Sequence, residues 1–392
     1  MFKNLNILFV MIFVLALGSI SFFNYIVDPY NIIIDRPSEL QLYNYPKDIF
    51  SSVLKLSTKS NYNTLAFGGS TTDAFLNYNL FPKNHAMLTS GYITSDTLKD
   101  YIKFFIKNHP ELKTVVFNVE YASYYFEKED KFPEIKNKNL TIKELARLFL
   151  SVDSTIESVK KFKKNPQKIL DKNRFQHRNI KENIEPNFKA ENLFDNTPII
   201  NKKDTLDIKY EIFIKRNDNH HIKGLKKNIN EYFDDYIEFF EENNVNVIYV
   251  FPAYHAMLQS KLYKEFDYSD VEKIKRHIVN KTDKRILDFA YINKYTTEDL
   301  EQTYLYADLI HPYSYKYNFF YCVLNNLKEH KNKDVYVELT KDNIDKVLSE
   351  QRKRLENYVS KNNDKINEFL SYEVDNFYIE KNSKDAPNCT NY

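Results

Sequence analysis

An α/β domain with a mainly parallel sheet, carried behind one membrane-spanning helix, is the fold class that these 392 residues predict. Three observations predict it. Apolar runs of strand length alternate with amphipathic helical stretches, the pattern of successive βαβ units. Near the N-terminus, residues 7–23 (ILFVMIFVLALGSISFF) carry no charge at all. Glycine is very scarce, 5 in the whole chain, and two of the five stand together at the end of the first strand-like run. In a chain so poor in glycine, each one retained marks a place where the backbone needs it.

The N-terminal run is followed by apolar residues as far as Val27, with only Asn24 polar, which is long enough for a bilayer span. Lys3 ahead of it favours a cytoplasmic N-terminus and an extracytoplasmic body. A cleaved signal peptide is the competing reading, since Ala16-Leu17-Gly18 resembles a small-x-small site, and a buried core helix is a third. Continuation of the apolar run past that site favours an uncleaved anchor over 1–27. A connector follows over 28–61, opening on Asp28-Pro29-Tyr30, and the body begins at about residue 62.

In the body, 64–67 (TLAF), 114–119 (TVVFNV), 245–251 (VNVIYVF) and 285–290 (RILDFA) read as buried strands. A helix is expected from Thr71, because Thr71, Thr72 and Asp73 are good helix starters. Another is expected over 95–108, with Leu98, Tyr101, Ile102 and Phe105 on one face and Pro110 ending it. From about 126 to 224 the pattern weakens and lysine dominates (KKFKKNPQK at 160–168), which reads as a helical insertion within the domain at 62–335. That insertion is either plain solvated surface or a rim touching anionic glycan or lipid headgroups. In the extension 336–392, Ile344, Leu348, Leu355, Val359, Ile366 and Leu370 are spaced 4, 7, 4, 7 and 4 apart, as on one long, nearly straight helix with a narrow apolar stripe. The stripe suits packing on the domain and pairing with another chain equally well.

Charge and cysteine usage narrow the function classes. With 56 Lys+Arg against 54 Asp+Glu, the net charge of +2 gives no support to a general nucleic-acid binder. Two cysteines, Cys322 and Cys389, exclude a disulfide-rich scaffold and a four-cysteine zinc site. His220-His221 reads as a polar loop without identifiable metal-ligand partners. The 31 Tyr and 30 Phe would suit a sugar-stacking module, but an AT-rich coding bias explains them as well.

The strongest local signal is Gly68-Gly69-Ser70 at the turn from the first strand into a helix. Glycines there let the backbone turn sharply and leave room beside the serine hydroxyl. Helix N–H groups just beyond favour a developing oxyanion. A phosphate loop fits less well, for there is no Gly-Lys-Ser/Thr ending. Far along the chain stands Tyr306-Ala307-Asp308-Leu309-Ile310-His311-Pro312. Three residues apart, Asp308 and His311 share one face of a helical turn, so the carboxylate can hold the imidazole while the other ring nitrogen takes a serine proton. His255, just past the third apolar run, stands at a strand's carboxyl end, where α/β folds bind ligands. It suits substrate contact and a structural role equally.

An early strand-ending GGS with a late D-x-x-H resembles the SGNH (GDSL-like) hydrolase superfamily over roughly 60–330. The resemblance implies a three-layer, flavodoxin-like domain with Ser70 as nucleophile, His311 as general base and Asp308 as its orienting partner. It implies an oxyanion hole from the N–H groups of Ser70 and Gly91. Asn118 stands where the family's third donor lies, although Phe117-Asn118-Val119-Glu120 lacks the usual preceding glycine and following Asp. Gly69 and His255 are further candidates for substrate contact. The anchor and motif order are similar to membrane-anchored SGNH-like proteins of bacterial envelope acylation, such as those of teichoic acid D-alanylation and of alginate and peptidoglycan O-acetylation. That similarity implies an esterase or O-acyltransferase at the bacterial cytoplasmic membrane with its body outside. It further implies a cell-surface glycan and an acyl donor as substrates, a membrane-bound O-acyltransferase as partner, and no cofactor or metal. The other expectation is a non-catalytic scaffold of the same fold that organises that acyltransferase.

Overall fold

The computed structural model describes residues 2–30, 39–41, 50, 52, 54–56, 62–69, 71–72, 85–89, 96–121, 135, 139–164, 166–170, 229–297 and 334–371. In chain order the elements are α1 (Phe2–Val27), β1 (Glu39–Gln41), β2 (Thr64–Gly68), β3 (His85–Thr89), α2 (Asp96–Lys107) and β4 (Thr114–Asn118). There follow α3 (Ile142–Leu150), α4 (Val152–Lys164), α5 (Pro166–Leu170), α6 (Ile229–Glu242), β5 (Asn246–Phe251), α7 (Ala256–Glu265) and α8 (Ser269–Lys281). The last are β6 (Arg285–Asp288), β7 (Val337–Glu338), α9 (Ile344–Lys361) and α10 (Asn363–Ser371). They belong to two compact units.

The first unit holds Met1–Asn61, Asp100–Pro110 and Lys131–Glu185. Leu5–Val27 of α1 is long and apolar enough to cross a membrane, and its most apolar stretch is not buried within the protein. Asp28 ends the helix in the left-handed conformation (φ 48°), its N–H still reaching Asn24 O at 2.9 Å, and Pro29 forbids a further turn. The polar Asn24 near the end of the span has a structural reason. Asn24 is fully buried and its Nδ2 donates to Phe149 O (2.8 Å) at the end of α3 and to Thr155 Oγ1 (3.0 Å) on α4. It thereby satisfies one of the carbonyls a helix terminus leaves open. The described part of the lysine-rich insertion is helical, as expected, and falls in this unit. Residues from Asp100 onward in α2 do too, with Tyr101, Ile102 and Phe105 fully buried and Tyr101 stacked on Phe50 (centroids 5.1 Å apart).

The second unit holds Tyr62–Lys99, Glu111–Asp130 and Pro186–Tyr392. Its strands lie in the order β3-β2-β4-β5-β6-β7. All neighbours are parallel except β6 and β7. The expected mixed α/β fold with a mostly parallel sheet is therefore present. Register pairs Phe67 with Phe117 and Phe117 with Tyr249, so these rings share one face of the sheet. That face packs on Phe233, Tyr236 and Phe240 of α6, with Phe67 and Phe117 stacked at 4.3 Å. The opposite face gives Ala66, Val116, Val250 and Leu287 to a core with Phe289, Val335 and Tyr336. Burial on both faces is why these strands read as continuous apolar runs.

The C-terminal stripe resolves differently from the single helix expected. The run breaks at Asn362 into α9 and α10, where Asn362 Nδ2 turns back to Tyr358 O at 2.9 Å. Asn competes well with the backbone for such bonds, so it suits a helix end. Ile344, Leu348, Leu355 and Val359 are all buried within the unit. A polar knot ties the helix down as well. Lys275 Nζ of α8 lies 2.7 Å from Asp288 Oδ2 and 3.1 Å from Gln351 Oε1 of α9, and Gln351 Nε2 donates to Asp288 Oδ2 at 2.8 Å. Packing on the domain, rather than pairing with another chain, accounts for the stripe.

Candidate active site

In the strand order β3-β2-β4-β5-β6 the chain leaves β2 toward β3 on one side and later returns to β4 on the other. Doubly wound sheets open a crevice beyond the carboxyl ends of the strands at such a reversal, here between β2 and β4. Gly68 ends β2 and Asn118 ends β4, so the glycine pair singled out in the sequence stands at that point.

Close approach explains both glycines. A Cβ on Gly68 would lie 2.9 Å from both the backbone oxygen and Cβ of Asn118, and would collide with Thr72 Oγ1. A Cβ on Gly69 would lie 2.7 Å from Glu120 Cδ and run into its carboxylate. The turn continues with Thr72 N–H donating to Gly69 O at 3.0 Å, and Thr71 and Thr72 are helical, where the sequence placed the helix start.

Glu120 is the residue that the sequence reading did not single out. It is 2 % exposed, and its Oε1 accepts from Thr71 Oγ1, from the Thr72 N–H at 3.1 Å, from Thr72 Oγ1 at 3.4 Å and from Asn118 Nδ2 at 3.2 Å. A carboxylate is favoured beside the first N–H groups of a helix, where the backbone dipoles point positive ends at it. Nothing in the sequence sets it apart, since a charged residue shortly after a buried strand is ordinary. Local backbone bonds hold it there. Val119 N–H donates to Val250 O at 2.7 Å, Glu120 N–H to Asn118 O at 3.1 Å, and Tyr121 N–H to Val119 O at 2.9 Å.

Asn118 is fully buried beside the turn, as expected of a third donor, but its amide is engaged. Nδ2 donates to Thr71 Oγ1 (2.9 Å) and Thr72 Oγ1 (3.1 Å) as well as to Glu120. The carboxylate only accepts, so the amide nitrogen must face it. That leaves Oδ1 buried with no hydrogen bond among the described residues.

His255 caps α7. Its Nδ1 accepts from Met257 N–H at 3.2 Å, and the residue is 1 % exposed, so a structural role for this histidine is visible. Behind it, Tyr254 meets Tyr121 edge to face with centroids 4.7 Å apart.

Ser70, Gly91, Asp308 and His311 lie outside the described residues, as do His220, His221, Cys322 and Cys389. The structure thus brings together Gly68, Gly69, Thr71, Thr72, Asn118 and Glu120, the two sides of the proposed nucleophile's turn. Among the described residues no cluster of three or more His, Cys, Asp or Glu is arranged to hold a metal ion. No family model matches the chain, and no curated protein is similar enough to count as a relative.

Proposed function

We propose that the protein is a membrane-anchored acyl-ester enzyme of SGNH type, acting outside the cytoplasmic membrane of a bacterium on acyl esters of a cell-surface glycan. The observation that carries this reading is the glycine pair at the sheet's reversal point, packed so closely against Asn118 and Glu120 that no side chain fits. In the proposed reaction Ser70 Oγ attacks the ester carbonyl while His311 accepts the hydroxyl proton and Asp308 orients the imidazole. The tetrahedral oxyanion is held by the N–H groups of Ser70 and Gly91. The protonated His311 then gives its proton to the departing alcohol, leaving acyl-Ser70. In the second half a sugar hydroxyl or water attacks the acyl carbonyl while His311 accepts its proton, and His311 returns that proton to Ser70 Oγ as the acyl–Ser70 bond breaks. No cofactor enters either half.

The test is labelling of the detergent-solubilised full chain with a fluorophosphonate probe, wild type beside Ser70→Ala. Labelling that vanishes in the variant supports the reading. A folded wild type that does not label speaks against it.

One observation favours the alternative, an acyltransferase-organising scaffold. Glu120 already occupies the Thr72 N–H and shares the Asn118 amide, donors a developing oxyanion would otherwise use. On that reading, cells carrying Ser70→Ala keep normal envelope acylation, while cells lacking α9 and α10 lose it.

A further inference from the structure

Helices α3 and α4 form a hairpin with its apolar side outward. Ile142 is 87 % exposed and Val152 73 %, with Leu145, Leu150, Ile156 and Val159 also open. On α4 the positions 152, 156 and 159 follow one another at i, i+4 and i+7, one stripe of the helix. The inner side of the same helix carries Ser154 and Ser158, both fully buried. A helix lying on a water-exposed protein surface has the reverse arrangement.

The hairpin is rigidly placed within its unit. Thr141 and Glu144 close a capping box at the start of α3, and Lys55 Nζ lies 2.7 Å from Glu144 Oε1. Around residues 23–28, where the apolar span of α1 ends, the hairpin is bonded to it. Asn24 donates to both helices, Phe23 meets Phe162 edge-on at 6.0 Å, Tyr25 meets Phe149 at 6.0 Å, and Lys161 Nζ donates to Asp28 O at 2.6 Å. The hairpin that carries the open stripe is therefore tied to the end of a helix that is itself apolar and exposed along Leu5–Leu15.

We propose that the α3–α4 hairpin lies in the boundary layer of the bilayer that α1 crosses, with Ile142, Val152, Ile156 and Val159 among the upper acyl chains. Interfacial helices bury such a face about 5–10 Å into the headgroup region. Lys143, Lys163 and Lys164 flank the stripe with exposed ammonium groups suited to lipid phosphates. The hairpin sets the height of the first unit at the membrane surface. The inference rests on α1 spanning a bilayer and not on chemistry at Ser70.

The chain has no tryptophan, so one introduced residue reports without background. Full-length Val152→Trp and Ile142→Trp chains, checked for folding by circular dichroism, would be placed singly in lipid nanodiscs whose acyl chains are brominated at shallow or deep carbons. Phe9→Trp serves as the reporter on α1. The expected result is blue-shifted emission for both hairpin variants, quenched most by shallow bromines, with Phe9→Trp quenched most by deep ones. Emission that ignores bromine and is quenched by aqueous acrylamide overturns the proposal, because the hairpin then lies in water. Blue-shifted emission untouched by bromine overturns it too, because protein then covers the stripe. If Phe9→Trp escapes the deep bromines, the spanning premise falls and the proposal with it, while labelling of Ser70 is unaffected.

Discussion

Glu120 and Gly69 share one small space. The carboxylate is pinned by Thr71, Thr72 and Asn118, so it cannot move aside for a methyl group without giving up several hydrogen bonds. Gly69→Ala is expected to cost about 1–3 kcal/mol, the usual penalty of overpacking a filled site. In a Glu120→Ala background the same change is expected to cost less, with a coupling on the order of 1 kcal/mol, as contacting residues show. Denaturant melts of the four proteins of this cycle measure it, and strictly additive losses would mean the two groups do not compete. At this scale the sequence pointed at the glycine pair because glycine is scarce, and at Asn118 only through the family resemblance, which puts a third donor there. Glu120 was not legible. A glutamate after a strand is ordinary in sequence, and only the turn of β2 against β4 gives it helix N–H groups to bind.

Among the elements, α3 depends on one carboxylate at its start. Burial pushes the Glu144 carboxyl up, but hydrogen bonds from Lys55 and Thr141 outweigh that and hold it below the usual carboxylate range. Its folded pKa lies below the unfolded one, so its stabilisation is complete above about pH 4.3 and is lost as pH falls through the folded value. The gap in melting temperature between wild type and Glu144→Gln should therefore be widest near neutrality and close in acid. A gap that stays constant into acid would show that the carboxylate's charge is not what holds the cap. Strands β2, β4, β5 and β6 were legible, since two-sided burial writes an apolar run into the sequence, whereas β1, β3 and β7 were not read from it. The single C-terminal helix was misjudged at Asn362, because an apolar stripe counts contacts and is blind to a local backbone bond. What the stripe packs on was undecidable from spacing alone, and Lys275, Asp288 and Gln351 decide it.

For the molecule as a whole, a chain anchored through α1 as proposed stays with membranes. Alkaline extraction should leave it in the membrane fraction, and protease added outside intact spheroplasts should degrade the body. Recovery of the body in the soluble fraction would mean instead that the segment is cleaved. The sequence by itself determined the α/β class, an N-terminal helix long and apolar enough to span a membrane, the glycine turn and the helical character of the insertion. Each of these is written locally, in hydrophobic period, in length, or in a residue that only one backbone geometry needs. Tertiary structure alone decided that the turn lies at the reversal of the strand order, that Asn118 and Glu120 close it, and that the α3–α4 hairpin shows its apolar side. Those depend on which segments distant in sequence become neighbours, and no local pattern carries that information.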